Sequence, residues 1–224
     1  MDNSTRRSGL LFVWTNADPN FEEDFNRWYD REHVEERIAI PGFVVGTRYI
    51  AAEASRKYLG LYRTESLDVF STPAYRQAFE HQTPWSVVNL GRMQDTVRRV
   101  CTIASETGMG GGAWLAVLRL GRSATPADLQ TFAEVGATLQ AMDGVIATRV
   151  LDPDPALSTP LPGEDPERRI LDPILLIEGT SEPVVVDAAR IAAKEARATN
   201  SDVGIMRMMW RLHQSEIPSR QKGA

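Results

Sequence analysis

Residues 20–50, NFEEDFNRWYDREHVEERIAIPGFVVGTRYI, contain a helix, its stop and the strand that follows. Asn20 with Glu23 three places on is a helix-start signature. Glu22 and Glu23 suit the first turn, where unsatisfied N–H groups carry partial positive charge. Phe21, Phe25 and Trp28 line one face with Glu32 at its edge, while Tyr29 and His33, four apart, are neighbours on the adjacent face. Pro41-Gly42 stops the helix, and Phe43 to Ala52 reads as an apolar strand. An imidazole, a phenol and an indole within six residues set proton-transfer groups beside an aromatic wall, which a purely structural helix rarely needs.

Working outward, Gly9 to Thr15 (GLLFVWT) is a buried strand by its apolar run, and Lys57 to Thr64 (KYLGLYRT) is a third strand. Ser71-Thr72-Pro73 opens a second helix with proline in its first turn. Tyr75 and Phe79 sit four apart on it, and His81 lies near its end. Met93 to Ser105 is a fourth strand, so the order is βαββαβ. Glu106 to Ala113 (ETGMGGGA) reads as a linker. The order then repeats: strand Trp114 to Leu120, a helix from Thr125-Pro126 to Met142, strand Val145 to Leu151, an exposed loop Asp152 to Arg169 rich in proline, aspartate and serine, strand Ile174 to Glu178, helix Glu182 to Thr199, strand Val203 to His213. The last strand alternates, with Met206, Met208, Trp210 and Leu212 on one side and Arg207, Arg211 and His213 on the other.

Letters echo as well. The run from Pro41-Gly42 to Thr47-Arg48 aligns with Asp143-Gly144 to Thr148-Arg149, allowing one deletion, which points to a tandem duplication. The predicted fold is α+β: two tandem ferredoxin-like βαββαβ units, residues 8–105 and 112–216, packed sheet-to-sheet as a pseudo-dimeric α/β barrel. Strands such as GLLFVWT and AWLAVLRL are apolar on both faces, so something must cover the side opposite the helices, and the other half is the economical cover. Neither half is expected to be soluble alone.

A net charge of −5 and a pI near 5.3 exclude the basic surface of a nucleic-acid binder. The short basic runs, Thr5-Arg6-Arg7 and Arg168-Arg169, read as solvated loops. No apolar run approaches a membrane span and the N-terminus lacks a signal-peptide core. A single cysteine, Cys101, fits a reducing cytoplasm and reads as a small buried hydrophobe. The three histidines are scattered, so no metal site is expected, although His33 and Glu36 share helical i,i+3 spacing. The glycine run lacks the lysine and Ser/Thr of a phosphate loop, and there is no dinucleotide fingerprint or G-x-S-x-G elbow. No cofactor is expected.

The run Phe25-Asn26-Arg27-Trp28-Tyr29-Asp30-Arg31-Glu32-His33-Val34, with Arg37 and Pro41-Gly42-Phe43, resembles the FNxWYxxEHVxxR…PGF signature of the EthD-like branch of the dimeric α/β barrel superfamily. Tyr58 to Tyr62 is similar to the strand that follows in such proteins. The match covers the first third of the chain. Relatives include cofactor-free monooxygenases, lactone isomerases, polyketide cyclases, haem enzymes and proteins without known activity. The resemblance implies that His33 and Tyr29 face a pocket between sheet and helices with Trp28 nearby. The helix after Thr125 lacks Trp, Tyr and His, so one site per chain is expected.

Each candidate has a plainer alternative. His33 is a general acid/base by its near-neutral pKa, or a helix imidazole paired with Glu32, Glu36 or a carbonyl. Tyr29 holds an oxyanion, or is a core tyrosine. Trp28 reads as packing or a substrate wall. His81 is a second catalytic candidate, or a helix cap. Tyr62 and Trp85 are substrate-wall candidates, Tyr62 otherwise belonging to the core. Arg48, matched by Arg149, either pairs with a carboxylate or binds an anion. The expected activity is a cofactor-independent lyase, isomerase or cyclase step on a small apolar or aromatic carbonyl or phenolic compound. A cofactor-free oxygenase or a sequestering barrel is the alternative. Whether two chains associate as a homodimer is left open.

Overall fold

The structure, a computed structural model, describes residues 7–122, 125–161, 164–167, 169–198 and 202–218. Thr5, Arg6 and Arg168 of the two basic runs, and Thr199 at the predicted end of the last helix, lie outside the described residues.

The first half comprises β1 (Gly9–Ala17), α1 (Glu22–Trp28), α2 (Val34–Ala39), β2 (Phe43–Glu53), β3 (Tyr58–Thr64), α3 (Pro73–Glu80), α4 (Pro84–Gly91) and β4 (Met93–Gly108). The second comprises β5 (Trp114–Arg119), α5 (Pro126–Leu139), β6 (Val145–Pro153), β7 (Ile174–Gly179), α6 (Glu182–Glu195) and β8 (Asp202–His213). Local chemistry sets several boundaries. Thr72 and Thr83 each accept a bond from the amide three residues on, Tyr75 and Ser86, with proline following the cap. Helix α4 is an addition to the βαββαβ order that the sequence predicts. Asp18, not Asn20, caps the first turn, accepting from the Asn20 amide at 2.9 Å. Gly42 and Gly144 both take positive φ (92° and 87°) after the helices that precede β2 and β6, a conformation that disfavours any Cβ.

All eight strands pair antiparallel in one closed barrel of order β1-β3-β2-β8-β5-β7-β6-β4. The halves therefore do not simply stack two sheets face to face. Their edges are hydrogen-bonded along β2·β8 and β4·β6, which satisfies edge N–H and C=O groups that stacked sheets would leave open. This pairing also explains why β4 runs on to Gly108: Glu106 and Thr107 pair with Arg149 and Thr148. Only Met109 to Ala113 is left as connection.

Apolar strands with two buried faces now have a cause. Leu10, Phe12 and Trp14 point into the barrel, whereas Leu11 and Val13 pack beneath α1–α4. A third core lies between the second half's strands and α5 and α6. Cys101 is fully buried in the barrel, and burial pushes its thiol well above the usual range. The predicted exposed loop 152–169 is partly buried instead. Ser158 is inaccessible and donates to and accepts from Val100, and Glu164 pairs with Arg99 at 2.5 Å across the barrel end.

Two pattern readings need correction. In β8 a bulge shifts the register between Trp210 (opposite Arg48) and Met208 (opposite Tyr49). Met206 and Met208 consequently belong to the barrel core, while Trp210 and Leu212 pack on the outer core; one extra residue exchanges the faces. The Thr-Arg echo also fails in three dimensions. Arg48 reaches outward to the helices, at 2.5 Å from Asp30, whereas Arg149 reaches the barrel carboxylates Glu106 and Glu178.

Candidate active site

The helix of residues 22–39 is not uniform. Tyr29–His33 forms a π-turn between α1 and α2, closed by the Val34 amide donating to the Tyr29 carbonyl. A wider turn brings residues five apart onto one face, and such turns concentrate at functional sites. Here it stacks the His33 imidazole on the Trp28 indole, with centroids 4.2 Å apart and planes inclined by 33°. Tyr29 meets the same imidazole edge-on at 5.1 Å. Trp28 is fully buried and donates from Nε1 to Ser86 Oγ at 3.0 Å, which ties α4 to α1.

The turn is anchored from the sheet. Arg48, 2% exposed, bonds Asp30 at 2.5 Å and Asn26 Oδ1 at 2.9 Å, and its guanidinium lies 4.3 Å from the Tyr29 ring centroid. Trp210 Nε1 also donates to Asp30, at 2.9 Å. Arg48 thus holds the π-turn against β2, with its charge paired to Asp30.

His33, 8% exposed, lines a cavity with Tyr29, Tyr62, Tyr75, Arg37 and Arg98, and with apolar side chains from β1, α3 and α4. Its volume is only about 40 Å³. Sites that take a drug-sized molecule measure roughly 300–1,000 Å³, so the hollow chamber expected from the family resemblance is here space for a few waters. Phe79, Gln82 and Leu90 of the α3–α4 region occupy one wall.

Among the described residues His33 makes no hydrogen bond, and its Nδ1 is buried without a partner. The alternative pairing with Glu32 or Glu36 is not formed; Glu32 instead accepts from Thr83 at 2.6 Å. Burial, then the Arg37 and Arg48 charges, hold the imidazole well below its ordinary value of 6.5, so it is neutral at pH 7. Burial raises the phenols of Tyr29 and Tyr62. Both phenol oxygens approach one spot above Gly60, where a Cβ would lie 3.4 Å from Tyr62 Oη and 3.6 Å from Tyr29 Oη.

Two cavity residues escaped the sequence reading. Arg37, 5% exposed, has no carboxylate partner among the described residues; it donates once, to the Ala78 carbonyl at 3.3 Å, and its Nε is orphaned. Arg98, 3% exposed, is likewise without a carboxylate and spends its donors on Leu157 O, Thr159 O and Oγ1, and Tyr75 Oη. Paired arginines inside the apolar run TVRRVCTI were the available signal. The cavity therefore combines a neutral base, phenols and two uncompensated positive charges, which is a field for a developing anion.

Of the predicted site residues, the fold gathers His33, Tyr29 and Tyr62, with Trp28 behind them. His81 is exposed at the end of α3, its Nδ1 3.3 Å from the Gln77 carbonyl, and lies on an outer groove rather than the cavity. Trp85 donates to Asp24 at 3.2–3.3 Å and also lies outside the cavity lining. Among the described residues no cluster of three or more His, Cys, Asp or Glu is placed to hold a metal, and no helix is long and apolar enough to cross a membrane.

No protein-family model matches this chain, and no curated protein matches it either. Solved structures do. An anthrone oxidase-like protein aligns over 95% of each chain at 13% identity, with a TM-score of 0.67. A candidate monooxygenase from Lactobacillus acidophilus NCFM covers 93% of this chain and 97% of its own at 8% identity, TM-score 0.55. A variant chlorite dismutase from Candidatus Nitrospira defluvii, in complex with cyanide, covers 91% and 92% at 10% identity, TM-score 0.51. At these identities what is shared is the fold: an α+β eight-stranded antiparallel barrel.

Proposed function

We propose that this chain is a cofactor-independent enzyme of lyase, isomerase or cyclase type, moving a proton on a small apolar or aromatic carbonyl or phenolic compound. The observation that carries the proposal is one cavity holding a neutral imidazole and two guanidinium groups that have no carboxylate partner among the described residues. His33 accepts a proton from a substrate C–H or O–H bond. The electron pair left behind moves onto the substrate oxygen, where Arg37, Arg98 and the Tyr29 hydroxyl oppose the new charge. The imidazolium then returns the proton at a second position or to a leaving group. Burial makes His33 a weak base in the empty cavity, and the growing oxyanion strengthens it, so proton and charge move together. A ring-sized substrate requires Phe79, Gln82 and Leu90 to move aside.

Likeness to the anthrone oxidase-like protein favours a second reading, in which the same carbanion reduces dioxygen, converting CH₂ and O₂ to C=O and water. The strand order shared by both halves supports a tandem duplication, with residues 8–105 carrying the site and 112–216 as its partner unit. The experiment is hydrogen exchange of 2-tetralone in D₂O, followed by NMR with oxygen uptake recorded in parallel. Wild type is expected to accelerate α-proton exchange, and His33→Gln to lose about 10²–10⁴-fold of that acceleration. Exchange without oxygen uptake supports the isomerase class, whereas uptake supports the oxygenase. Binding with no exchange in wild type would leave a sequestering barrel and overturn the enzyme.

A further inference from the structure

The barrel interior offers a second cavity on the opposite side of the sheet from His33. One end of the barrel is closed by Arg99–Glu164 and by Arg119–Asp172 at 2.6 Å, above which Phe12, Trp14 and Val117 fill the middle. The other end opens into a cavity of about 430 Å³, within the roughly 300–1,000 Å³ range of small-molecule sites. Its floor is Leu10, Leu61 and Leu176, with Tyr49 beside them. Its rim carries Arg63, Glu106, Arg149, Glu178 and Arg211.

The rim charges do not balance. Arg63 grips Glu106 through two bonds of 3.0 Å, and Arg149 bridges Glu106 (2.6 Å) and Glu178. Glu178 also accepts from the Gly112 amide at 2.7 Å. Two carboxylates are thus consumed by two guanidinium groups. Arg211 is left with the Met208 thioether, at 3.0 and 3.3 Å, as its only side-chain partner among the described residues. A thioether is a weak acceptor.

Two features of the backbone serve this arrangement. The β8 bulge after Met208 reverses the alternation and turns Arg211 into the cavity rather than away from it. The glycine run, which sequence reading treats as a linker, lies against the rim. A Cβ on Gly111 would stand 2.7 Å from Glu178 Oε2 and 2.9 Å from Arg211 Nη2, so a larger residue there would displace the ends of these two rim side chains.

We propose that this barrel mouth is a second binding site, taking a small monocarboxylate with an apolar body. The carboxylate meets the planar fork of Arg211, whose geometry suits bidentate pairing, and the body lies on the leucine floor. One uncompensated positive charge selects a monoanion. A phosphate dianion would instead face the carboxylates of Glu106 and Glu178.

Isothermal titration of the full chain tests this with octanoate as probe, 1-octanol as its neutral counterpart and inorganic phosphate. Wild type is expected to bind octanoate saturably with one site, and phosphate not at all. Arg211→Gln should weaken octanoate at least tenfold and leave 1-octanol unchanged, Arg211→Lys should recover part of the loss, and His33→Gln should bind octanoate as wild type does. Circular dichroism confirms that each variant is folded. Absence of saturable octanoate binding in folded wild type overturns the proposal. So does equal affinity in Arg211→Gln, or a loss in His33→Gln, which would move the probe to the other cavity.

Discussion

Replacing Arg37 with methionine separates function from stability. Arg37 is 5% exposed and, among the described residues, donates a single long bond of 3.3 Å and leaves its Nε without a partner. An orphaned buried donor costs about 1–3 kcal/mol, while one neutral-acceptor bond contributes about 1 kcal/mol. Methionine keeps the apolar stem and removes both, as when buried ionic groups are exchanged for hydrophobic ones. The variant should therefore be as stable as wild type or up to about 2 kcal/mol more stable, raising Tm by up to about 8 °C for a chain of this size. Because Arg37 is among the charges that depress His33, the imidazole should titrate at higher pH in the variant. Tetralone exchange should fall, since the oxyanion loses one of its two compensating charges. Urea denaturation, histidine NMR and the exchange assay read the three quantities. A variant destabilised by more than about 1 kcal/mol would refute the reasoning, because it would mean that Arg37 is paired and structural.

Other perturbations follow from the same structure. His33 is depressed in the folded state, so as pH falls through 6.5 the unfolded imidazole takes up a proton first and stability declines. Equilibrium unfolding of His33→Gln between pH 7 and 5 should lack that contribution, up to about 1.4 kcal/mol per pH unit, and an unchanged profile would contradict His33 burial. Arg48→Met should cost about 1–3 kcal/mol, discounted because Asp30 is 42% exposed, and should loosen the π-turn. Faster amide exchange at residues 29–34 is the readout. Gly112→Ala should cost about 2–3 kcal/mol, because the new Cβ would lie 2.2 Å from the Gly179 carbonyl oxygen. A neutral melting temperature would show that the chain there is free to move.

Much of the fold was legible in the sequence because element order is local information. Periodicity, the Pro-Gly and Asp-Gly stops and the doubly apolar strands all report on neighbours along the chain. What escaped depended on distant partners. The edge pairing that extends β4 to Gly108 requires β6, and the β8 bulge is visible only against β2. The Thr-Arg echo looked equivalent because letters carry no strand phase, yet Arg48 and Arg149 end on opposite sides of the sheet. At the site, helical spacing brought His33 and Tyr29 together, while the π-turn that stacks Trp28 on His33 has no clear sequence mark. Arg37 was in plain sight within the signature, but its lack of a carboxylate is a three-dimensional fact. His81, assigned a site role by residue type, caps a helix at the surface.

Ionisation of a bound phenol reports proton transfer to His33 directly. 4-Nitrophenol reports its own protonation by absorbance, and titrating it with the protein at a pH where the free phenol is mostly neutral measures whether His33, Arg37 and Arg98 together take its proton and hold the anion. A saturable phenolate band is expected that disappears in His33→Gln and weakens in Arg37→Met. Saturable binding with the phenol remaining neutral, or a phenolate band undiminished in His33→Gln, would contradict proton transfer to His33.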